Sequence, residues 1–176
     1  KAITAALTGT TEKIYDGNLA ATLTNANYTL TGLVTNDTVT VLGNGSYSDK
    51  NAGEAKPVTV NLSDLSLAGT DAGNYTLSST TGSITGKITP ATLYYTATPA
   101  SMIQGSALPT LSGTITGLKG SDTLGAVTDG TATWSTTATN TSPVEQYAIE
   151  GSGVTLKSGN NNYVLKQAAA NSTALT

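Results

Sequence analysis

Catalysis and metal binding draw on a few side-chain types, and this chain lacks most of them. Its 176 residues contain no His, no Cys and no Arg. The usual general base, thiol nucleophile and transition-metal ligands are therefore missing. Ser and Thr abound, but a hydroxyl nucleophile needs a base beside it, and only Lys, Asp and Glu remain for that role. The acids Asp16, Asp37, Asp49, Asp64, Asp71, Asp122 and Asp129 are scattered, without the dense Asp/Asn-Gly ladder of a Ca²⁺ loop. No spacing brings two carboxylates together for acid–base work. The expectation is a protein that is not an enzyme and that carries no cofactor and no metal.

Other residues could recognise a ligand or be modified. Tyr94, Tyr95 and Trp134 could form an aromatic platform for stacking a sugar, and they are the candidate glycan contacts. The competing reading places Trp134 in the core, because Thr131-Ala132-Thr133-Trp134-Ser135 alternates and puts Ala132 and Trp134 on one face. Seven Asn-X-Ser/Thr sequons stand at Asn27, Asn36, Asn44, Asn61, Asn74, Asn140 and Asn171, a mild excess in a Thr- and Ser-rich chain. A covalent Lys13–Asn staple would need an Asn and a carboxylate beside the amine, which spacing alone does not place. Tyr15-Asp16-Gly17 reads as an aromatic anchor and a turn, with Asp bonding its own backbone and Gly at positive φ. Tyr75 and Tyr163, each after Asn, read as anchors pinning a loop. Asp37 and Asp122, each before Thr, read as side-chain-capped turns.

The elements that must hold these residues are strands. Thr supplies about one residue in five, and its branched Cβ suits a pleated surface while Gly and Asn supply turns. Charged residues make up 11% of the chain, against ~25% in an ordinary soluble domain. Hydroxyls and amides must coat the surface, as suits an exported bacterial protein. A net charge of −3 gives no basic stripe for phosphates, so nucleic acid is not an expected partner. No apolar run approaches the ~20 residues of a membrane span, and any targeting segment is expected upstream of Lys1.

The chain repeats itself. Gly32-Leu33-Val34-Thr35-Asn36-Asp37-Thr38 returns 85 residues later as Gly117-Leu118-Lys119-Gly120-Ser121-Asp122-Thr123. Asn74-Tyr75-Thr76-Leu77 returns 88 residues later as Asn162-Tyr163-Val164-Leu165. Order and spacing are nearly kept, so the period marks serial modules. Pro90 in Lys87-Ile88-Thr89-Pro90-Ala91 suits a joint, and the expected modules are 1–90 and 91–176. Val39-Thr40-Val41-Leu42 runs into a hairpin-grade turn at Gly43-Asn44-Gly45. Val58, Val60 and Leu62 alternate onto one face. Tyr147-Ala148-Ile149 and Val154-Thr155-Leu156 precede a turn at Gly159-Asn160-Asn161-Asn162. Only Ser63 to Leu67 could form a helical turn. The expected fold class is all-β: two tandem Ig-like β-sandwich modules end to end, with small β-grasp-like sheets as the alternative.

The first module resembles the YDG domain, through Tyr15-Asp16-Gly17, the stretch Asp71-Ala72-Gly73-Asn74-Tyr75-Thr76-Leu77 and Ile88-Thr89-Pro90. The second resembles the MBG domain, through Tyr95 to Ser101, Leu111 to Gly117, Gly130 to Trp134, Tyr147 to Gly153 and Gln167 to Leu175. It departs from that pattern at Gln104-Gly105, where Tyr-Gly is usual, and at Val144-Glu145-Gln146-Tyr147, where Val-Gly-Ser-Tyr is usual. The resemblance implies stalk or spacer modules in a large secreted bacterial adhesin or biofilm-matrix protein, similar to filamentous haemagglutinin. It implies a cell-surface location, neighbouring modules of the same chain as partners, and an outer-membrane two-partner translocator during export. The alternative is modules that themselves bind glycan or exopolysaccharide.

Overall fold

The computed structural model describes all of residues 1–176, and the chain falls into two compact units, Lys1–Thr89 and Pro90–Thr176. Fifteen strands carry the fold and the remaining elements are short helical turns, so the all-β class stands. The one α-helix, Leu124–Val127, is a single turn. No helix is long and apolar enough to cross a membrane.

The first unit contains ten strands: β1 (Ala2–Leu7), β2 (Thr10–Ile14), β3 (Ala20–Ala21), β4 (Tyr28–Thr31), β5 (Thr40–Leu42), β6 (Gly45–Tyr47), β7 (Gly53–Thr59), β8 (Ser66–Ala68), β9 (Thr76–Thr81) and β10 (Ile84–Thr89). One sheet has the order β4-β1-β9, a second β2-β10-β7-β6-β3, and β5 pairs with β8. The chain segment β1–β2 runs parallel to the segment β9–β10, and each changes sheet at a bend. Gly9 and Gly82 supply those bends with φ of 78° and 83°. A side chain is strained at such a φ, so glycine is needed where the two ribbons turn together. Alternation then fills the space between the sheets. Ile3, Ala5 and Leu7 of β1 and Ile84 and Ile88 of β10 are buried with Tyr15, Tyr47 and Val58.

The second unit contains β11 (Ala91–Ala97), β12 (Gly113–Thr116), β13 (Thr128–Ser135), β14 (Glu150–Leu156) and β15 (Tyr163–Gln167). Its sheet has the order β12-β11-β15, with β11 antiparallel to β12 and parallel to β15. The β13–β14 pair packs beside it. Leu93, Ile149, Tyr163 and Leu175 are almost fully buried. Each unit thus starts with a strand that becomes the centre of a three-stranded mixed sheet, flanked by a late parallel strand. Ig sandwiches pair their strands antiparallel. Both units are all-β and built from small sheets in which parallel pairs stand among antiparallel ones.

Three local expectations need correction, the first because helical turns also form outside Ser63 to Leu67, at Asn25–Asn27, Ala72–Asn74, Leu124–Val127 and Ala169–Thr173. Gly43-Asn44-Gly45 does not close a hairpin: β5 pairs with β8 and β6 with β7, so the chain crosses between sheets there. Gly43, at φ 146°, sits against the main chain at Asp64 and Leu65, which leaves no room for a Cβ. The run after Val58 also ends early, because Leu62 opens a one-turn 3-10 helix, Leu62–Asp64, and is 38% exposed.

Candidate functional site

The two repeated sequence motifs meet in space, once in each unit. In the first, the Tyr75 hydroxyl donates to Asp37 Oδ2 at 2.6 Å and accepts from the Val34 N–H at 2.9 Å. In the second, the Tyr163 hydroxyl donates to Asp122 Oδ2 at 2.8 Å and accepts from the Lys119 N–H at 2.9 Å. In both, a turn is closed by the aspartate N–H bonding to the carbonyl three residues back, at 3.2 Å for Asp37 and 3.1 Å for Asp122. Gly32 and Gly117 precede these turns at φ 100° and 103°, each against the first strand of its unit. Each clamp therefore ties a turn to a late strand over the central strand. The anchor reading of Tyr75 and Tyr163 holds. The aspartates close their turns through the main-chain N–H, and their carboxylates receive the distant tyrosine. Hydrogen bonding to Asp37 holds the Tyr75 hydroxyl above the usual tyrosine range, with burial adding to the shift.

Tyr15-Asp16-Gly17 forms the anchor and turn expected. Tyr15 is 1% exposed and Gly17 has φ 82°. Asp16 Oδ1 accepts from the Asn18 N–H at 3.1 Å and from Lys13 Nζ at 2.8 Å. Lys13 Nζ also bonds the Asn18 carbonyl at 2.8 Å and Asn18 Oδ1 at 3.0 Å, and lies 5.3 Å from the centre of the Tyr47 ring. Burial works against the charged Asp16 carboxylate, yet Lys13 and the Asn18 N–H outweigh it and hold Asp16 below its usual range. The structure thus sets Lys13 beside an Asn and a carboxylate, a juxtaposition the sequence did not place. It is an ion pair open to water on the Asn18 side.

The three aromatic candidates do not share a surface. Tyr95 is buried, and its hydroxyl donates to the Val154 carbonyl at 2.8 Å and accepts from the Val154 N–H at 2.9 Å. Trp134 is half-buried, meets Tyr95 edge to face at 6.1 Å and packs on the cluster of Ala138, Ile149, Ala174 and Leu175. Tyr94 is 39% exposed and, as the neighbour of Tyr95 in a strand, faces the other side of the sheet.

Two of the seven sequons are structural. Asn27 is buried and its amide donates to the Thr8 and Thr10 carbonyls, both at 3.2 Å, pinning the bend between β1 and β2. Asn171 is also buried. It donates to the Tyr95 carbonyl at 2.7 Å and to Gln167 Oε1 at 2.9 Å, and accepts from the Ala97 N–H at 2.9 Å. Gln167 in turn bonds both the N–H and the carbonyl of Gly151. Sequence reading saw these two only as sequons, because nothing in Asn-X-Thr or Asn-X-Ser distinguishes a buried amide from an exposed one. The other five Asn are exposed. No group of three or more acidic residues is placed to hold a metal ion.

Comparison with known families agrees with this division. Residues 1–82 match the YDG domain, and residues 93–173 match the MBG domain (YGX type). No curated protein and no solved structure gives a significant match. Each matched stretch contains its own complete Tyr–Asp clamp. The chain is a YDG domain followed in tandem by an MBG domain of the YGX type.

Proposed function

We propose that the pair acts as spacer modules in the stalk of a large exported bacterial adhesin or biofilm-matrix protein. The observation that carries this reading is the duplicated clamp. The same Tyr–Asp bond closes both modules, so what the two halves share is a device that fixes the fold. Both domains belong to repeat families found in adhesin-like proteins and are non-catalytic, and the pair is read here as non-enzymatic. A surface of hydroxyls and amides with few charges suits a spacer that must resist non-specific contacts. The partners in this reading are neighbouring modules, with an outer-membrane translocator acting during export.

Small-angle scattering tests it. Strands of about seven residues span ~25 Å, so arrays of one, two and four modules should lengthen almost in proportion to module number. Growth as a compact particle would overturn the spacer reading. The alternative, glycan binding by the modules themselves, rests on Tyr94 as an exposed aromatic. Retention on a glycan array that Tyr94→Ala abolishes would move the reading to that class.

A further inference from the structure

In each module an early strand and a late strand lie side by side and parallel. β1 runs with β9 through five register pairs, from Ala2–Thr76 to Ala6–Thr81. Past the bends, β2 runs with β10 through five more, from Thr10–Thr85 to Ile14–Thr89. The chain therefore enters this double ribbon at one end, at Ala2, and leaves it at the opposite end, at Thr89. β10 then continues through Pro90 into β11. The second module repeats the plan, with β11 parallel to β15 through five pairs from Ala91–Tyr163 to Tyr95–Gln167.

Side chains lock both seams against sliding. In the first module a bulge leaves Ser78 outside the register, between the pairs Ile3–Leu77 and Thr4–Ser79, and the Ser78 hydroxyl donates to the Ile3 carbonyl at 2.9 Å. A bulge pins register, because a slip would have to carry the extra residue along. Near the exit, the Thr89 hydroxyl donates to the Lys13 carbonyl at 3.3 Å. In the second module β15 ends at Gln167, and the buried Asn171 side chain takes over from the ladder. It bonds the Tyr95 carbonyl at 2.7 Å and the Ala97 N–H at 2.9 Å. The Ala100 N–H then donates to the Ala174 carbonyl at 2.8 Å, so the seam is held from Ala91 to Ala100.

We propose that each module is a tension-bearing clamp, in which the parallel early and late ribbons take the load in shear. This rests on the spacer reading, in which modules stand in series and tension reaches each one through its two ends. Tension on Ala2 and Thr89 acts along the strands, in opposite directions on the two ribbons. All the bonds of the seam are then stretched together, and none opens ahead of its neighbours. Tension across one end of the same seam opens them one after another. Resistance to force is set by the unfolding barrier, so the direction of load decides it while equilibrium stability stays the same.

Single-molecule pulling on the full chain tests this. The chain has no Cys, so introduced cysteines alone define where the handles attach. Lys1→Cys with Thr92→Cys loads the first module from entry to exit. Lys1→Cys with Gly73→Cys loads the start of β1 against the start of β9, at an exposed glycine with open space for a side chain. The entry-to-exit force should be higher by about twofold or more. In the second module, Thr92→Cys with Thr176→Cys should exceed Thr92→Cys with Asn161→Cys in the same way. Ser78→Ala and Asn171→Ala should each lower the entry-to-exit force of their own module. Equal forces in the two directions would overturn the proposal, as would entry-to-exit forces untouched by both substitutions. Compact growth of longer arrays would end the spacer reading and leave the directional difference in place. Equal forces would leave an extended array extended, so the two readings fail separately.

Discussion

The Tyr75 hydroxyl bridges the Asp37 carboxylate at 2.6 Å and the Val34 N–H at 2.9 Å, across about forty residues of sequence. Tyr163 makes the same pair of bonds to Asp122 and Lys119. A phenol used as donor and acceptor at once fixes both the position of the turn and the orientation of the ring. Removing it leaves two main-chain or carboxylate groups without their partner, which costs more than the bond itself contributes.

Tyr75→Phe keeps the ring and removes the bridge. It should destabilise the first module by about 1–3 kcal/mol, and Tyr163→Phe should do the same to the second. Each unit has its own core, so denaturant unfolding of the two variants should move different transitions. Equal shifts of both transitions by one substitution would contradict the assignment of one clamp to each module.

How alkali acts follows from the same hydroxyl. Tyr75 is raised above 10.0 by Asp37, and Tyr28, Tyr47 and Tyr147 are raised chiefly by burial. A raised folded value means that the unfolded chain releases its protons first. The stabilisation is complete below about pH 10 and is lost as pH rises through the folded values. Three of these four tyrosines lie in the first module. Its melting midpoint should therefore fall faster than that of the second module as pH is raised from about 8 to about 11. Tyr75→Phe should flatten that dependence. Asp49 and Asp16 are both held low, Asp49 by hydrogen bonds from Lys56 and the Asn51 N–H, and Asp16 by Lys13 and Asn18 against an opposing burial effect. Their contribution is present above the usual carboxylate range and lost as pH falls through the folded values. Both lie in the first module and are partly exposed, so the acid effect there should be small.

The clamp shows what the sequence made legible. The period of the repeat marked Gly32 and Tyr75 as equivalent to Gly117 and Tyr163, because turn glycines and anchored tyrosines keep their identity between copies. That one motif touches the other was hidden, since sequence separation says nothing about which strand pairs with which. Alternation identified β13 and the core-facing side of Trp134. It failed at Gly43, where a glycine serves a close crossing between sheets, and at Leu62, where a helical turn follows the strand. Lys13, Asp16 and Asn18 illustrate the same limit at side-chain scale: a turn brings them together, but its direction is set by the sheet it leaves.

Gly113 tests the packing of Trp134 directly. A Cβ there would overlap the Trp134 ring and the Thr96 carbonyl, although the backbone itself would accept alanine. Gly113→Ala should cost the second module about 1–3 kcal/mol and shift the fluorescence of the single Trp. Gly86→Ala would overlap the Tyr47 ring in the first module and should leave that fluorescence unchanged.

The Lys13 cluster makes a prediction about mass. A covalent staple would join Lys13 Nζ to the side-chain carbon of Asn18 and release ammonia, with Asp16 passing the proton. The Lys13 side chain is 15% exposed and that of Asp16 42% exposed, while Asn18 is open to solvent. Water at the site favours the ion pair, so the intact mass should equal the sequence mass. A mass short by one ammonia, lost in Lys13→Met, would show the bond.

Asn171 separates structural sequons from modifiable ones. Its amide satisfies the Tyr95 carbonyl and the Ala97 N–H, and through Gln167 it reaches both main-chain groups of Gly151. A sugar on that nitrogen would have to displace buried hydrogen bonds. Asn171→Ala should destabilise the second module by about 1–3 kcal/mol, because it leaves buried main-chain groups unpaired. Asn140→Ala, at an exposed sequon of the same module, should be nearly neutral. If the protein is isolated from a glycosylating host, peptide mapping should find occupancy among Asn36, Asn44, Asn61, Asn74 and Asn140. Sugar at Asn27 or Asn171 in folded protein would contradict the burial of those amides, since both sit at the junction where a bend or a closing turn holds the sheets together.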